Sequence, residues 1–435
     1  MAQAAAQIRS KPATLKSVRV AAVAWLLTAV FYFYQYAMRS APAVMMPQLS
    51  KAFGVSAVGV ASIVGLFYYG YSPFSLVAGA AMDRFGPRKL VPFAAAIVGL
   101  GALLFSTGTT NIASVGRFMQ GAGGVFALVG AIYIVTKNFS ASQAATLIGV
   151  TQMFGMAGGS AGQFVVGPLI SSGVSWSTFW LGMGAAGLVI AVLLYFLIPG
   201  EAPRSKQDPT QDHGWKSIML AFGTVFRNPQ SILCGLISGL MFIPTTIFDM
   251  IWGVRYLQEA HGLDYADAVL RSATVPFGWI IGCPLLGFIS DRIGRRKPVI
   301  VGSAFMLLLL MAWALYGKTG VLPPYIIGLL MGIASGAAML PYTVIKEANP
   351  PQYGGTAAGV INFLNFTFSA LLGPFFGWLF TRSSGGTAQV TLANYQSTFW
   401  PLLVGVGIAI ILALILKETG PAAHRGTQLQ AEGNI

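Results

Sequence analysis

The chain of 435 residues is 55% hydrophobic and only 9% charged, where a soluble domain carries roughly 25% charged residues. It is basic, with 26 Lys and Arg against 12 Asp and Glu. The cations lie in short clusters between apolar runs, a placement that excludes a nucleic-acid partner and puts the chain in a lipid bilayer. Cys234 and Cys283 sit in apolar segments without metal-type spacing, and His213, His261 and His424 fall in predicted loops or tails. Neither a disulfide framework, a metal site nor a cofactor is therefore expected.

Residues 1–18 form a basic leader, retained on the cytoplasmic side because the apolar run after it is too long for a cleaved signal. Apolar spans of roughly 20 residues, the length that crosses a bilayer, then fall at 19–47, 56–81, 90–107, 112–136, 143–170, 176–199, 229–257, 263–289, 298–316, 321–345, 353–381 and 397–416. The fold class predicted is all-α integral membrane, with twelve transmembrane helices. Helix 1 contains FYFYQYAMRSAP, Phe31 to Pro42, which places Arg39 at bilayer depth with Tyr32, Gln35 and Tyr36 on its face. An ionised side chain there marks a functional site by default. Helix 2 adds Tyr68, Tyr69 and Tyr71, helix 4 carries Arg117, and helix 5 carries GMAGGSAGQFVVGP. Residues 200–228 are a polar, Pro-containing cytoplasmic linker, whose Trp215, Ile218, Met219 and Phe222 read equally as an interfacial helix or as a loop grazing the headgroups. Helix 7 contains Asp249, helix 8 Arg271, and helix 11 Asn362 and Asn365 together with GPFFG; 417–435 is a cytoplasmic tail.

The loops on one side hold 19 Lys and Arg and those on the other hold four, Lys51, Arg255, Lys318 and Arg382. The positive-inside rule then puts both termini in the cytoplasm. Arg39, Arg117 and Arg271 remain within helices. Arg39 lies roughly 12 Å below the outer end of its helix at 1.5 Å per residue, and Arg271 and Asp249 fall at a similar depth. Two cations matched across the chain's halves predict a clamp for an anion. The bland alternative is that Asp249 neutralises one of the arginines.

The chain also repeats. GAAMDRFGPRK begins at Gly79 and GFISDRIGRRK at Gly287, a spacing of 208 that Gly70 and Gly278 share. Two homologous six-helix bundles, 19–199 and 229–416, follow, with a site between them near the midplane. Gly79 and Gly287 are expected where helices approach closely, and Asp83 and Asp291 beside their neighbouring arginines or a helix N-terminus.

These duplicated loops, with RFMQGAGG in helix 4, closely resemble the signatures of the major facilitator superfamily over essentially the whole chain. The resemblance implies a gating role for Asp83, Arg84, Arg88, Asp291, Arg292 and Arg296, against the alternative of static topology anchors, and a structural or gating role for Arg117. In helix 5, Gly167-Pro168 lacks the rest of the drug-antiporter motif, which favours import. The helix-1 pattern from Tyr36 and Arg39 through Pro47, Leu49, Phe53 and Ser56 is similar to that of organic anion:cation symporters, which implies that Arg39 binds a substrate carboxylate. Arg271 is similar to the helix-8 arginine of oxalate/formate exchangers. Met38 stands where sugar-acid symporters carry an acid, and Asn362 and Asn365 where oxalate exchangers offer a lysine, so neither branch is matched in full. Asp249 is the remaining acid at site depth and is assigned the coupling proton.

The expectation is an alternating-access transporter that imports a small organic anion, a carboxylate foremost, with proton coupling. It is not an enzyme, since no nucleophile or metal cluster appears. Substrate contact is assigned to Arg39, Arg271, Tyr32, Gln35, Tyr36, Tyr68, Tyr71, Asn362 and Asn365. The alternative is an exchanger or exporter of amino acids, peptides or drugs; a receptor using the same fold stands further off. A monomer in a bacterial inner membrane is expected, with the anion, protons and lipid as its partners.

Overall fold

The computed structural model describes residues 15–139, 141–199, 215–317, 323, 325–350, 353–385 and 390–422. Among the described residues, twelve helices are long and apolar enough to cross a membrane: α1 (Val18–Phe53), α2 (Ala57–Met82), α3 (Pro87–Phe105), α4 (Thr110–Asn138), α5 (Leu147–Ser171), α6 (Trp176–Leu197), α7 (Pro229–His261), α8 (Tyr265–Ile293), α9 (Lys297–Tyr316), α10 (Ile326–Glu347), α11 (Gly354–Ser384) and α12 (Leu392–Ile415). No strand occurs among the described residues. The expected spans are met closely, with informative departures at both ends of the series. Helix α1 continues beyond its predicted end through a 3-10 turn at Ala41–Met45 and a helical segment at Met46–Phe53. Pro42 and Pro47 each fall in the first turn of one of these segments, where a missing N–H costs nothing. Lys51, expected in an external loop, is therefore helical, and Gly54 ends the segment at φ +64°. At the other end, α12 starts early because Thr391 and Asn394 form a reciprocal capping box.

Trp215–Arg227 is helical, so this part of the linker is a helix and not a loop. Its Met219 and Leu220 are exposed, and Phe226 meets Phe363 of α11 at 6.3 Å. The leader up to residue 14, residues 200–214, and the tail beyond 422, with His213 and His424, lie outside the described residues.

Close packing repeats between the halves. A Cβ at Gly70 in α2 would be driven into the Phe118 carbonyl of α4, and a Cβ at Gly278 in α8 into the Leu329 carbonyl of α10. The sequence pair Gly70/Gly278 thus marks the same helix contact twice. Gly79 and Gly287 do not: the nearest atom to a Cβ at Gly79 is the Gly355 carbonyl at 3.9 Å, and nothing lies within 4 Å at Gly287. The tight approach belongs near the middle of these helices, not at their loop ends. Gly70→Val is expected to destabilise by roughly 1–3 kcal/mol through overpacking, read as a lower midpoint in thermal melts, whereas Gly287→Val should leave the midpoint in place.

The bundles meet along two seams, α2 with α11 and α5 with α8. Ser72 donates to the Phe363 carbonyl at 3.0 Å and pairs with Thr367 at 2.7 Å; Ser160 donates to the Ala273 carbonyl at 3.1 Å. At the end opposite the Arg292–Lys297 loop, Tyr265 donates to the Val44 carbonyl at 2.5 Å and joins α8 to α1. Large apolar side chains such as Phe93, Phe196, Phe288 and Trp400 remain exposed on the outer wall, as a lipid-facing surface requires.

Candidate functional site

Arg39 is 2% exposed. Five rings from four helices enclose its guanidinium: Tyr36 of α1, Phe67 and Tyr68 of α2, Phe242 of α7 and Phe366 of α11, with centroids 4.7–5.6 Å from Cζ. Arg39 Nε donates to the Tyr68 hydroxyl at 3.3 Å, and Tyr68 donates to the Thr246 carbonyl of α7 at 3.4 Å. Nη1 and Nη2 have no protein partner. The aromatic faces offset part of the charge, but no carboxylate among the described residues pairs with it. A planar fork is left free for a bidentate anion.

The chain supports this arginine from behind. Arg117, fully buried in α4, donates to the Met38 carbonyl at 3.2 Å, to Gln120 Oε1 at 2.7 Å and to the Val64 carbonyl at 3.4 Å. Those bonds lock α4 to α1 one residue before Arg39, and both guanidiniums flank the Phe67 ring. Arg117 thus ties α4 to α1 and α2 within the N-terminal bundle.

Several expected groups surround the same centre. Tyr32 donates to Gln152 Oε1 at 2.9 Å and meets the Tyr36 ring edge-on at 4.9 Å. Tyr71 lies 4.5 Å from Phe366 across the bundle seam. Gln35 is buried beside Gly124, with both amide atoms unpartnered. Asn362 and Asn365 converge on Tyr342 of α10, whose hydroxyl donates to Asn362 Oδ1 at 2.5 Å and accepts from Asn365 Nδ2 at 3.2 Å. Tyr69, in contrast, is 38% exposed and turned away from the buried centre.

Arg271 stands elsewhere. Its Nη2 pairs with Asp267 Oδ2 at 2.5 Å, one helical turn earlier, and its guanidinium lies 6.0 Å from the Tyr325 ring. None of these partners touches Arg39, so the two arginines do not share a set of neighbours. Asp249 pairs with neither. It lies in a π-helical segment, Pro244–Gly253, and accepts from Ser272 at 2.8 Å through Oδ1, while Oδ2 has no partner. Gln163 of α5 faces the same carboxylate without a well-formed hydrogen bond. The wide turn puts Thr246, the acceptor for Tyr68, and Asp249 on one distorted stretch of α7, and such π segments recur at functional sites.

The loop end of the C-terminal bundle carries a charge network. Arg296 pairs with Asp291 and, at 3.0 Å, with Glu347 of α10. Glu418, beyond α12, accepts the backbone N–H groups of Arg296 at 2.7 Å and Lys297 at 3.0 Å, capping α9. Glu347 also accepts from Thr419 at 2.5 Å. Burial pushes the Glu418 carboxyl up, but donation from the backbone of Arg296, Gly420, Lys297 and Thr419 outweighs it and holds the group below its ordinary value. A lowered carboxyl contributes stability that is complete above its ordinary pKa and lost as pH falls through the lower folded value. Glu418→Ala is expected to cost about 1 kcal/mol at neutral pH, the size of a lost cap, and the gap from the parent should close in acid, which melts over a pH series check. Arg88 and Arg292 are exposed, and the side chains of Asp83 and Arg84 lie outside the described residues.

Twelve membrane helices in two pseudo-symmetric halves, with a buried polar centre where they meet, define a multi-pass membrane transporter. Residues 28–374 match the Major Facilitator Superfamily, and the chain belongs to that family. It is 25% identical over 415 residues to a hexuronate transporter of Bacillus subtilis (strain 168), covering 89% of this chain and 94% of that one. A cis,cis-muconate transport protein of Acinetobacter baylyi is 22% identical, covering 92% and 96%. Among solved structures, a bacterial homologue of the human lysosomal transporter Spinster, inward-facing and unoccupied, superposes with a TM-score of 0.68 at 15% identity, covering 94% of this chain and 96% of that one.

Proposed function

We propose that this transporter carries a small organic anion, a carboxylate foremost, into the cell by alternating access, with Arg39 as the anion-binding group and Asp249 as the proton carrier. The observation that carries the proposal is the buried Arg39 guanidinium with two unpartnered Nη atoms in an aromatic enclosure. A cation held out of water without a counter-charge costs several kcal/mol, and an anionic solute repays that cost. Tyr68 fixes the plane of the fork through Nε, Tyr36 and Phe366 wall it, and Tyr342 with Asn362 and Asn365 offers hydroxyl and amide groups to the body of the solute. Hexuronate and cis,cis-muconate, the solutes named for two relatives, are both carboxylates, which agrees with this chemistry.

Tyr68 and Thr246 link the anion site to the π segment that holds Asp249. Protonation there removes a charge from the α5/α8 seam, and binding at Arg39 is sensed on the same segment. The Arg296 network, on the cytoplasmic face set by the positive loops, is the element that breaks and reforms as the bundles rock. The chain works as a monomer in a bacterial inner membrane. Ligand-induced thermal shifts of the purified protein across carboxylates, sulfonates, phosphates and amines test the substrate class. Stabilisation by carboxylates bearing hydroxyl or unsaturated bodies supports it, and stabilisation by amines alone sinks it.

A further inference from the structure

A cavity of about 490 Å³ lies inside the C-terminal bundle, lined by α7, α8, α9, α10 and adjoining loop residues and by nothing from the N-terminal half. Its volume suits a small ligand. It sits towards the end that carries the α7–α8 turn, remote from the Arg292–Lys297 loop, because its wall includes His261 and Leu263 at that turn and Gly317 just after α9. Two groups of opposite charge line it with hydrogen-bonding capacity unspent. Asp249, 3% exposed, has an Oδ2 without a well-formed hydrogen bond although Gln163 of α5 faces the carboxylate, and Arg271 holds Asp267 through Nη2 but leaves its buried Nε free. The intervening wall is apolar and aromatic, with Tyr256, Trp313 and Met331.

We propose that this cavity is a second binding site, for a zwitterionic solute with an apolar body: an α-amino acid of aliphatic type, its ammonium on Asp249 Oδ2 and its carboxylate on Arg271 Nε. A simple anion would satisfy Arg271 and leave Asp249 buried beside it. A simple amine would do the reverse, whereas a molecule carrying both charges satisfies both groups at once and takes the place of the coupling proton on Asp249. The site goes beyond the anion reading at Arg39 and stands without it. The two meet at Asp249, so an amino acid in this cavity excludes the coupling proton and acts as a brake on transport.

The test is equilibrium binding of L-leucine to the full chain in nanodiscs, beside 4-methylpentanoate, which lacks the ammonium, and 3-methylbutylamine, which lacks the carboxylate. L-leucine should bind saturably, with each analogue weaker by roughly tenfold or more, the scale of one charge-assisted hydrogen bond. Asp249→Asn and Arg271→Gln should each weaken L-leucine by about 10- to 100-fold. Met331→Trp, which fills the cavity and leaves every charge in place, should abolish binding and so guards against a folding defect in the charge variants. Arg39→Gln should leave L-leucine binding unchanged. Absence of saturable L-leucine binding, equal binding of the analogues, or loss of binding in Arg39→Gln would each overturn the proposal, and the last would place the amino acid at the central site.

Discussion

Arg39→Gln is expected to weaken carboxylate binding by roughly 30-fold to over 1,000-fold, the range for removing one partner of a buried charge pair. Its effect on the unliganded protein runs the opposite way. The parent holds a buried guanidinium with only Tyr68 and aromatic faces against it, so replacing it by a neutral amide relieves an uncompensated charge. The variant should therefore melt at or above the parent without ligand and lose the ligand-induced shift. A merely structural arginine would behave differently, since its loss would lower the melting point with and without carboxylate alike. Arg39→Lys should also fail, because an ammonium offers a point charge in place of the planar fork. Isothermal titration with a six-carbon sugar acid, beside melts of each variant, reads both effects.

Asp249→Asn is expected to abolish accumulation driven by a pH gradient while leaving exchange of substrate across the membrane intact. A gradient of one pH unit is worth about 1.4 kcal/mol per proton, enough for tenfold accumulation at one proton per solute, and the variant should reach only equal concentrations. The amide keeps the Ser272 hydrogen bond and the packing of the π segment but removes the titrating group, so a fall in exchange rate as well would assign Asp249 to the scaffold instead. Uptake into proteoliposomes, with and without an imposed gradient, separates the two. Gradient-driven accumulation that survives in Asp249→Asn would show that the proton binds elsewhere.

The helices, their repeat and the chief cation were legible in the sequence for a simple reason. Apolar length counts directly against bilayer thickness, and an arginine inside such a run is conspicuous. What the sequence lacked was rotation. In a helix apolar on every side, depth along the axis is readable, but the face is not, and successive residues turn by about 100°. Arg271 and Ser272 show the consequence: Ser272 faces Asp249, while Arg271 turns to Asp267 on its own helix. A matched depth for Arg39 and Arg271 therefore said nothing of shared neighbours. The same gap hid Phe242 and Phe366, which look like lipid-facing residues in the chain and close the box around Arg39 in space. Tyr342 was missed although it follows Pro341 directly, a polar ring set at a break in an apolar helix. Asp249 was legible as a lone acid, but its partner Ser272 and the π turn that presents it depend on α7 packing against α8. Glu418 carried no signal either, since its role comes from the chain returning to cap α9, a contact between residues 121 positions apart.

The Gly70/Gly278 pair repeats a helix contact as well as a sequence. The offset of 208 was visible in the chain, and the packing gives it a cause: both positions bring a backbone carbonyl of the partner helix where a side chain would stand. The duplicated loop at Gly79 and Gly287 is as strong a sequence signal but serves charge rather than packing, through Asp291, Arg296 and Glu347 in the C-terminal half.

The central claim is that the solute moved is an organic anion recognised through its charge at Arg39. Counterflow tests it most directly: proteoliposomes holding the purified chain are loaded with unlabelled hexuronate and diluted into a trace of the labelled acid, with the parent neutral hexose as the matched control. A transient overshoot of label is expected for the acid, none for the hexose, and none for the acid with Arg39→Gln. Equal overshoot for acid and hexose, or an overshoot that persists in Arg39→Gln, would contradict it.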